Sequence, residues 1–351
     1  MQSLEEFKEV FNPVLNEFVD KKTAEFIKHT TDLFIKDFVT YSKNLITGGG
    51  KRIRPYLAYL SYKTFGGGNE DEEMDVFVAL ELFHNFLLIH DDIIDKSIVR
   101  RGQKTIHEYV LEKLSKDDRI GDLKHIANSQ AIVIGDLIFS WVLELLIKSK
   151  NKSLSYLFNY FFKNVDEVII GQIIDGDTST RKRAGLKLIE EKTTLKTAYY
   201  SFIRPLQIGA VLANPNYGME KLFEDFGTKL GIAFQIQDDL LDIIGKPDEI
   251  KKTPLLDIEE HRYTFFTNYL QENGTNEQQE YFNSVFGKKL TEPNQKLLRA
   301  TFEKSGAITY GKKLINENFN KAKDIIRNSN LENDYKQNFI ELVVLIEHRQ
   351  S

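Results

Sequence analysis

Two acidic clusters have the residue types and spacing for chemistry. Asp91-Asp92-Ile93-Ile94-Asp95 is answered far downstream by Asp238-Asp239-Leu240-Leu241-Asp242. In a helix, the first and last aspartates of each cluster lie four residues apart, stacked on one face one turn from each other. Oxygen ligands without histidine or cysteine suit a hard cation such as magnesium, which takes one or two carboxylates and completes its shell with water and phosphate oxygens. An acidic triplet on a helix is often no more than a solvated face. Here each follows apolar sequence, Phe86-Leu87-Leu88-Ile89 and Ile232-Ala233-Phe234. Carboxylates in such surroundings are costly unless a cation meets them. The shared pattern is what two clusters facing each other across a cavity would show.

Cationic groups accompany them. Gly48-Gly49-Gly50-Lys51-Arg52-Ile53-Arg54-Pro55 sets Lys51 and Arg54 three apart after a flexible turn, a spacing that suits a diphosphate clamp. A nucleotide P-loop is excluded, because no strand precedes the glycines and no Ser or Thr follows the lysine. Arg100-Arg101-Gly102 follows the first cluster; alone it reads as a surface pair. His84 lies seven residues before Asp91 and shares its helix face. A lone histidine is more often a satisfied core residue, and only its company argues for a role.

These residues need helices to hold them. Apolar residues recur at three- and four-residue intervals in Leu4–Phe38, Met74–Asp95, Ala131–Lys148, Leu154–Ile174 and Lys221–Ile244, and few stretches alternate as strands do. Breaks fall at Gly48–Gly50, Gly66–Asn69, Asn214–Asn216 and Asn273–Thr275. None is long enough for a domain linker, and no short repeat is present. The expectation is one all-α domain over residues 1–351, with the charged stretches Glu112–His125 and Glu277–Pro293 as surface excursions and the last forty residues helical again.

Composition narrows the function. Hydrophobic residues make up 41% of the chain and charged residues 28%, which allows a sizeable core. The net charge of -5 argues against a nucleic-acid partner. The chain has no cysteine, so disulfides and thiolate metal sites are excluded, which suits a reducing cytoplasm. The acidic, mixed N-terminus is unlike a targeting peptide. The most apolar stretch, Ala131–Ile147, is interrupted by Asp136 and Glu144 and reads as a buried core helix rather than a membrane span.

Taken in order, GGGKRIRP, LFHNFLLIHDDIID, RRG, GDLIFSW, GQIID, LKTAYYSF and GIAFQIQDDLLD resemble the trans-isoprenyl diphosphate synthases. The likeness runs from about Ile46 to Thr264, and SGAITYGKKL from Ser305 looks like the family's C-terminal region. The resemblance implies a bundle of long, mostly antiparallel helices around a central cavity, a homodimer, and magnesium ions, three per site, held by Asp91, Asp92, Asp95, Asp238, Asp239 and Asp242. It implies that Lys51, Arg54, His84 and Arg101 bind isopentenyl diphosphate and that Arg100 binds the allylic diphosphate. Lys196, Thr197 and Gln235 would line the allylic site, and Lys252 matches the family lysine after the second cluster. His261-Arg262-Tyr263-Thr264 departs from the family's glycine-lysine pair; Arg262 keeps the charge and so the diphosphate contact.

The activity so implied is condensation of isopentenyl diphosphate with a dimethylallyl, geranyl or farnesyl diphosphate. Product length is expected to be set at Phe86 and Leu87, five and four residues before Asp91, with Phe86 roughly 7.5 Å along the helix. Helical phase puts Leu87 on the aspartate face and turns Phe86 aside, towards the wall or a neighbouring helix. One aromatic there, with no insertion in the first cluster, looks more like geranylgeranyl than farnesyl or longer-chain synthases. A class I terpene cyclase would need no second diphosphate clamp, and a non-catalytic regulatory subunit would not keep both clusters intact.

Overall fold

The computed structural model describes residues 2–245 and 254–348. Helix accounts for about three-quarters of them, and the described strands form one short antiparallel hairpin in which Val99 pairs with Lys104 and Arg100 with Gln103. The chain falls into two compact units: residues up to Ser155 together with Leu212–Asn214, and Tyr156–Val211 together with the described residues from Pro215 onward.

The first unit is built from α1 (Leu4–Ile27), α2 (Leu33–Thr47), α3 (Ile53–Thr64), α4 (Met74–Ile94), α5 (Ile106–Lys116) and α6 (Leu123–Lys148). The reading of Leu4–Phe38 as one helix is corrected here. The Asp32 carboxylate accepts the backbone N–H groups of Phe34 at 2.8 Å and Ile35 at 3.1 Å and so starts a second helix. Phe7, Phe11, Tyr59 and Phe77 are buried together, Phe7 lying 5.0 Å from Tyr59 and 5.2 Å from Phe11. Each such side chain contributes about 1.5–3 kcal/mol through burial. α4 has every side chain from Val76 to Phe83 buried and packs along α6. The expectation that Ala131–Ile147 is a buried helix holds for one side only: Ile126, Ile132, Val133 and Ile147 of α6 are exposed.

The second unit is built from α7 (Leu154–Thr178), α8 (Leu186–Thr193), a π-helical segment (Thr194–Ile203), α9 (Arg204–Ala213) and α10 (Glu220–Ile244). After these come α11 (Leu256–Glu259), α12 (Phe265–Asn273), α13 (Asn276–Val285), α14 (Glu292–Lys304), α15 (Ala307–Arg327) and α16 (Asn333–Glu347). α10 packs along α15 and the π-helical segment, with Phe226 edge-on to Phe339 of α16 at 5.6 Å.

Both charged stretches read as excursions are largely helical. Glu112–Lys116 completes α5, because Ile106, Val110 and Leu114 bury one stripe beneath the charges. Lys113 and Lys116 lie in its last turn, where the helix dipole favours cations. Downstream, Thr275 and Gln278 form a reciprocal cap that opens α13, and Pro293 sits in the first turn of α14, where its missing N–H costs nothing.

Candidate active site

In the first unit α4 carries His84, Phe86, Leu87 and the first acidic cluster. Asp91 and Asp92 occupy its last turn and Asp95 caps it, with the Asp95 N–H donating to the Asp91 carbonyl at 2.8 Å. The predicted stacking of Asp91 and Asp95 therefore holds. Asp92 and Asp95 are buried and Asp91 half-buried. Three carboxylates at the C-terminal end of a helix stand where its dipole is already negative. Arg100, on the hairpin, donates to Asp92 Oδ1 from Nε at 2.7 Å and lies 2.6 Å from it through Nη2. Burial works against its charge, but Asp92 outweighs this and raises the Arg100 pKa. The structure thus sets Arg100 on the first cluster itself.

The hairpin turn also places Arg101. Arg101 and Gly102 both take positive φ, at 53° and 75°, and Arg101 Nη1 donates to the carbonyls of Gly49 at 3.1 Å and Leu45 at 3.4 Å. The basic pair is therefore no surface pair; it meets the glycine turn that precedes Lys51. Gly50 has φ +122°, and a Cβ there would lie 2.9 Å from Arg52 Nη1 and 3.3 Å from Arg101 Nη2. Only glycine allows the turn to press against two guanidiniums.

Arg52, which sequence reasoning passed over, anchors this turn. It is buried with φ 54° and pairs with buried Glu81 at 2.5 Å. It also donates to Asn12 Oδ1 at 3.0 Å and to the Thr47 carbonyl at 3.2 Å. Its signal was Glu81, three residues before His84 on the same helix, although nothing in the sequence joined the two. Lys51 is exposed and Arg54 half-buried on either side of Arg52. His84, also half-buried, has its pKa held well below the usual value, first by burial and then by Arg54, Arg101, Arg100 and Arg52. A neutral imidazole near four guanidiniums marks a concentration of positive charge that an anion would relieve.

Phe86 turns to a neighbouring helix, as helical phase predicts. Its ring meets His90 edge-on at 4.7 Å and Phe139 of α6 at 4.9 Å, with Phe83 at 6.0 Å. Leu87 is half-buried.

In the second unit α10 carries Gln235 and the second cluster near its own C-terminal end. Thr197 Oγ1 donates to Gln235 Oε1 at 2.7 Å, and Gln235 Nε2 donates to Asp239 Oδ1 at 2.8 Å. Burial, with Asp257 and Asp238 close by, pushes the Asp239 carboxyl up to about 8, although Gln235 and Lys192 draw it down. Asp238 and Asp242 are half-buried. Asp242 accepts the N–H groups of Leu256 at 3.1 Å and Asp257 at 3.4 Å, the start of α11.

Lys196 Nζ donates to Asp175 Oδ2 at 2.7 Å, and Lys192 Nζ to Asp175 Oδ1 at 2.9 Å and the Tyr263 carbonyl at 2.9 Å. Burial alone would raise the Asp175 pKa, but Lys196, Lys192 and Arg262 hold it well below the carboxylate range. Lys196, Thr197, Gln235, Asp239, Asp257 and Arg262 line one cavity of this unit, so five predicted residues, Arg262 among them, come together. Arg262 lies 3.7 Å from Asp257. Lys252 falls outside the described residues. Asp175, Lys192 and Asp257 are the residues the sequence did not assign. Asp175 lay in the quoted GQIID motif, and its pairing with two lysines gives that motif a purpose.

The segment bearing Lys196 and Thr197 is π-helical, a form concentrated at functional sites. Two glycines let it approach: a Cβ on Gly171 would sit 2.5 Å from the Lys196 nitrogen, and one on Gly231 would sit 2.4 Å from the Ala198 Cα.

Among the described residues no three carboxylate or imidazole side chains converge into a ready-made metal cage. The donor set is anionic and oxygen-only, at the negative ends of two helices, with one carboxyl so crowded that it holds its proton. Such donors fit magnesium, which binds through few protein carboxylates and keeps places for water and phosphate oxygens.

Comparison with known proteins agrees with this chemistry. The polyprenyl synthetase family pattern matches residues 36–303. Geranylgeranyl diphosphate synthase of Methanosarcina mazei is 30% identical over 280 residues, 78% of each chain. The Sulfolobus acidocaldarius enzyme of the same name is 27% identical over 337 residues, 93% of this chain and 94% of its own. The crystal structure of geranylgeranyl pyrophosphate synthase from Corynebacterium glutamicum, complexed with isoprenyl diphosphate and magnesium, matches with a TM-score of 0.93 and 25% identity over 99% of this chain and 100% of that one. This chain belongs to the polyprenyl synthetase family of prenyltransferases.

Proposed function

We propose that the protein condenses isopentenyl diphosphate with an allylic diphosphate and that its main product is geranylgeranyl diphosphate. The observation that carries this reading is the group of arginines whose charge bears on His84, on the same helix as the first acidic cluster and beside the glycine turn that Arg101 and Arg52 hold. A cyclase ionises one diphosphate and needs no second anion site. A condensing enzyme must hold a second substrate by its diphosphate while leaving its double bond free to attack.

Breaking the allylic carbon–oxygen bond separates a carbocation from diphosphate. Magnesium bound by Asp91, Asp92, Asp95, Asp238, Asp239 and Asp242 would neutralise that leaving group, with the three ions per site that the family resemblance implies. The chain's own contribution is fixed positive charge. Arg100, Lys196 and Arg262 bear on the allylic diphosphate, while Lys51, Arg54, His84 and Arg101 hold isopentenyl diphosphate in line for attack. Neutral His84 donates a hydrogen bond without adding a full charge to an already basic pocket. The proton lost after condensation passes to the departing diphosphate, so no side-chain base is needed. Apolar flanks such as Phe86, Leu87 and Phe234 keep water from the cation. The product reading rests on the single aromatic before the first cluster and on the names of the relatives.

The protein acts in the cytoplasm as a homodimer on this reading. Support comes from the absence of cysteine and from the exposed apolar side chains of α6. The test is incubation with magnesium, labelled isopentenyl diphosphate and farnesyl diphosphate, followed by mass spectrometry. A twenty-carbon diphosphate carrying label is expected. A hydrocarbon formed from farnesyl diphosphate alone, or no reaction, would overturn the assignment.

A further inference from the structure

The second unit holds a larger cavity than the one containing Lys196 and Asp239. Its volume is about 320 Å³. Its walls are the turn after α7, the segment before α12, and the amide-bearing faces of α12 and α13. Lys182, Arg183 and His261 line it together with Tyr263, Gln271 and Asn283, and Arg181 also borders it. No carboxylate is among its lining residues. Arg181 is paired with Asp177, its Nε donating at 2.7 Å, whereas Lys182 and Arg183 form no ion pair among the described residues and are exposed.

The basic turn is fixed in place before any ligand arrives. Tyr263 Oη donates to the Arg181 carbonyl at 3.1 Å, and Asn268 Nδ2 donates to the Ala184 carbonyl at 3.1 Å. His261 takes φ 58°, its Nδ1 donates to the Ser179 carbonyl at 2.5 Å, and its ring rests on Phe286 at 4.1 Å. Convergent cations and amide donors on a prearranged frame make a site for an anion with several oxygens, since guanidinium groups match phosphate in bidentate fashion. A volume at the lower end of ligand pockets suits a small polyanion rather than a long chain.

We propose that this cavity is a further, non-catalytic diphosphate site. The choice of diphosphate among polyanions rests on the proposed condensation, each turnover of which releases one inorganic diphosphate and all of whose substrates and products end in one. The segment His261–Thr264 connects this site to the catalytic cavity. His261 lines the basic cavity, Arg262 lines the catalytic one, and Tyr263 lines both while its carbonyl holds Lys192. A diphosphate drawn against His261 and Arg183 acts on the backbone that carries Arg262.

The test compares the full wild-type chain with a Lys182→Ala/Arg183→Ala double variant. Both changes lie at exposed positions outside the catalytic machinery, so turnover without added diphosphate is expected to be unchanged. Calorimetric titration with inorganic diphosphate in magnesium buffer should show, in the wild type, a class of site beyond the catalytic subsites. The double variant should keep the catalytic binding and bind at the further site about ten- to a hundredfold more weakly. Inhibition by inorganic diphosphate should carry a component not relieved by allylic substrate in the wild type and lose that component in the variant. A second titration with farnesyl S-thiolodiphosphate separates the sources. Filling of the further site as well as the catalytic subsites assigns it to a prenyl headgroup, and filling of the catalytic subsites alone assigns it to the released product. Catalytic binding alone in the wild type, or identical isotherms for the two proteins, overturns the proposal. Chain elongation with identical isotherms sinks this inference and leaves the proposed function standing; a class of site lost in the variant, without elongation, does the reverse.

Discussion

An aspartate near the C-terminal end of a helix faces the dipole's negative pole, a penalty of about 0.3–1 kcal/mol even at the surface. Both clusters are built there, and Asp92, Asp95 and Asp239 are buried as well. The chain tolerates them by different local means: Arg100 on Asp92, two backbone N–H groups on Asp242, and a proton on Asp239. Each arrangement is one that a cation would replace. Asp91→Ala and Asp239→Ala are therefore expected to cut turnover by at least ~10²–10³ with the fold intact, and Asp91→Ala should leave the thermal midpoint at or above that of the wild type, because removing a charged carboxylate relieves repulsion in the metal-free protein. Chelation of divalent ions should abolish wild-type turnover. Full activity in either variant, or in chelator, would sink the metal assignment.

The guanidiniums divide labour in the same way. Arg52 is engaged by Glu81 and fixes the turn, and on the proposed function its neighbours Lys51 and Arg54 hold isopentenyl diphosphate. Arg54→Ala should raise the KM for isopentenyl diphosphate about ten- to a hundredfold, as expected for loss of a charge-assisted contact, with little change in the KM for the allylic partner. Equal effects on the two substrates would place Arg54 in the wrong subsite.

At the scale of elements, close approach decides where the reactive side chains stand. The π-helical segment touches α10 at Gly231, and an added methyl would meet Ala198 backbone at 2.4 Å, where neither side can yield cheaply. Gly176, in α7, has open space around its Cβ position. The same substitution should then have opposite signs. Gly176→Ala should stabilise by up to ~1 kcal/mol through helix propensity, whereas Gly231→Ala should destabilise by about 1–3 kcal/mol through overpacking. Displacing Lys196 and Thr197 should also lower turnover by about 10². Denaturant unfolding and steady-state rates of the two variants test this; a harmless Gly231→Ala would mean that the segment's approach is not tight.

Helix α5 holds a second element-scale device. His107 is buried against α6, its Nδ1 lacks a hydrogen-bond partner among the described residues, and burial, with Lys124 nearby, lowers its pKa to about 4. The fold favours the neutral ring, whereas the unfolded chain takes up a proton near pH 6.5. Stability from this residue is therefore complete above pH 6.5, falls as the pH drops towards 4, and changes no further below that; the loss is about 3 kcal/mol. His107→Gln should remove this share of the acid sensitivity when urea unfolding is compared between pH 7 and pH 4. Parallel pH profiles for the two proteins would show that His107 does not titrate in this window.

Long elements were legible in the sequence because their periodicity is a one-dimensional property. Met74–Asp95 and Lys221–Ile244 appear within a residue of their expected limits. Motif residues were legible because type and spacing name the chemistry, and Thr197, Gln235 and Asp239 do form one hydrogen-bonded chain. Pairings between distant positions were not legible. Arg52 with Glu81, and Asp175 with Lys192, are set by how helices cross, and no local pattern encodes a crossing. The charged end of α5 reads as an excursion for a related reason: the three apolar residues it buries are too few to register among charges, yet they suffice once α6 covers them.

At the scale of the whole molecule, charge and apolar surface pull in different directions. A net charge of -5 keeps copies apart in a general way, yet each unit bears a helix with an uncovered apolar stripe. On α6, Ile126 and Val133 lie seven residues apart on one face, Val133 being 64% exposed. On α7, Phe162, Ile169 and Ile173 recur at intervals of seven and four, Ile173 being 65% exposed. Single exposed apolar residues need no explanation, but aligned ones mark surfaces meant to be covered. Length and hydropathy would also let α6 cross a membrane, but its opposite side is buried against α4 and α5, as it would be in a helix shared between a core and a partner. On the dimer reading proposed above, a second copy of the chain would cover both stripes by symmetry. Light scattering should therefore give twice the 40.7 kDa chain mass for the wild type. Val133→Glu and Ile173→Glu should each shift the population to the single-chain mass, because a carboxylate buried in such an interface has no partner. Ile120→Glu is the control: Ile120 is 94% exposed on the connection between α5 and α6, outside either stripe, and its replacement should leave the dimer intact. A wild type that is monomeric and sediments with anionic vesicles would instead assign the stripes to a lipid surface and overturn the dimer.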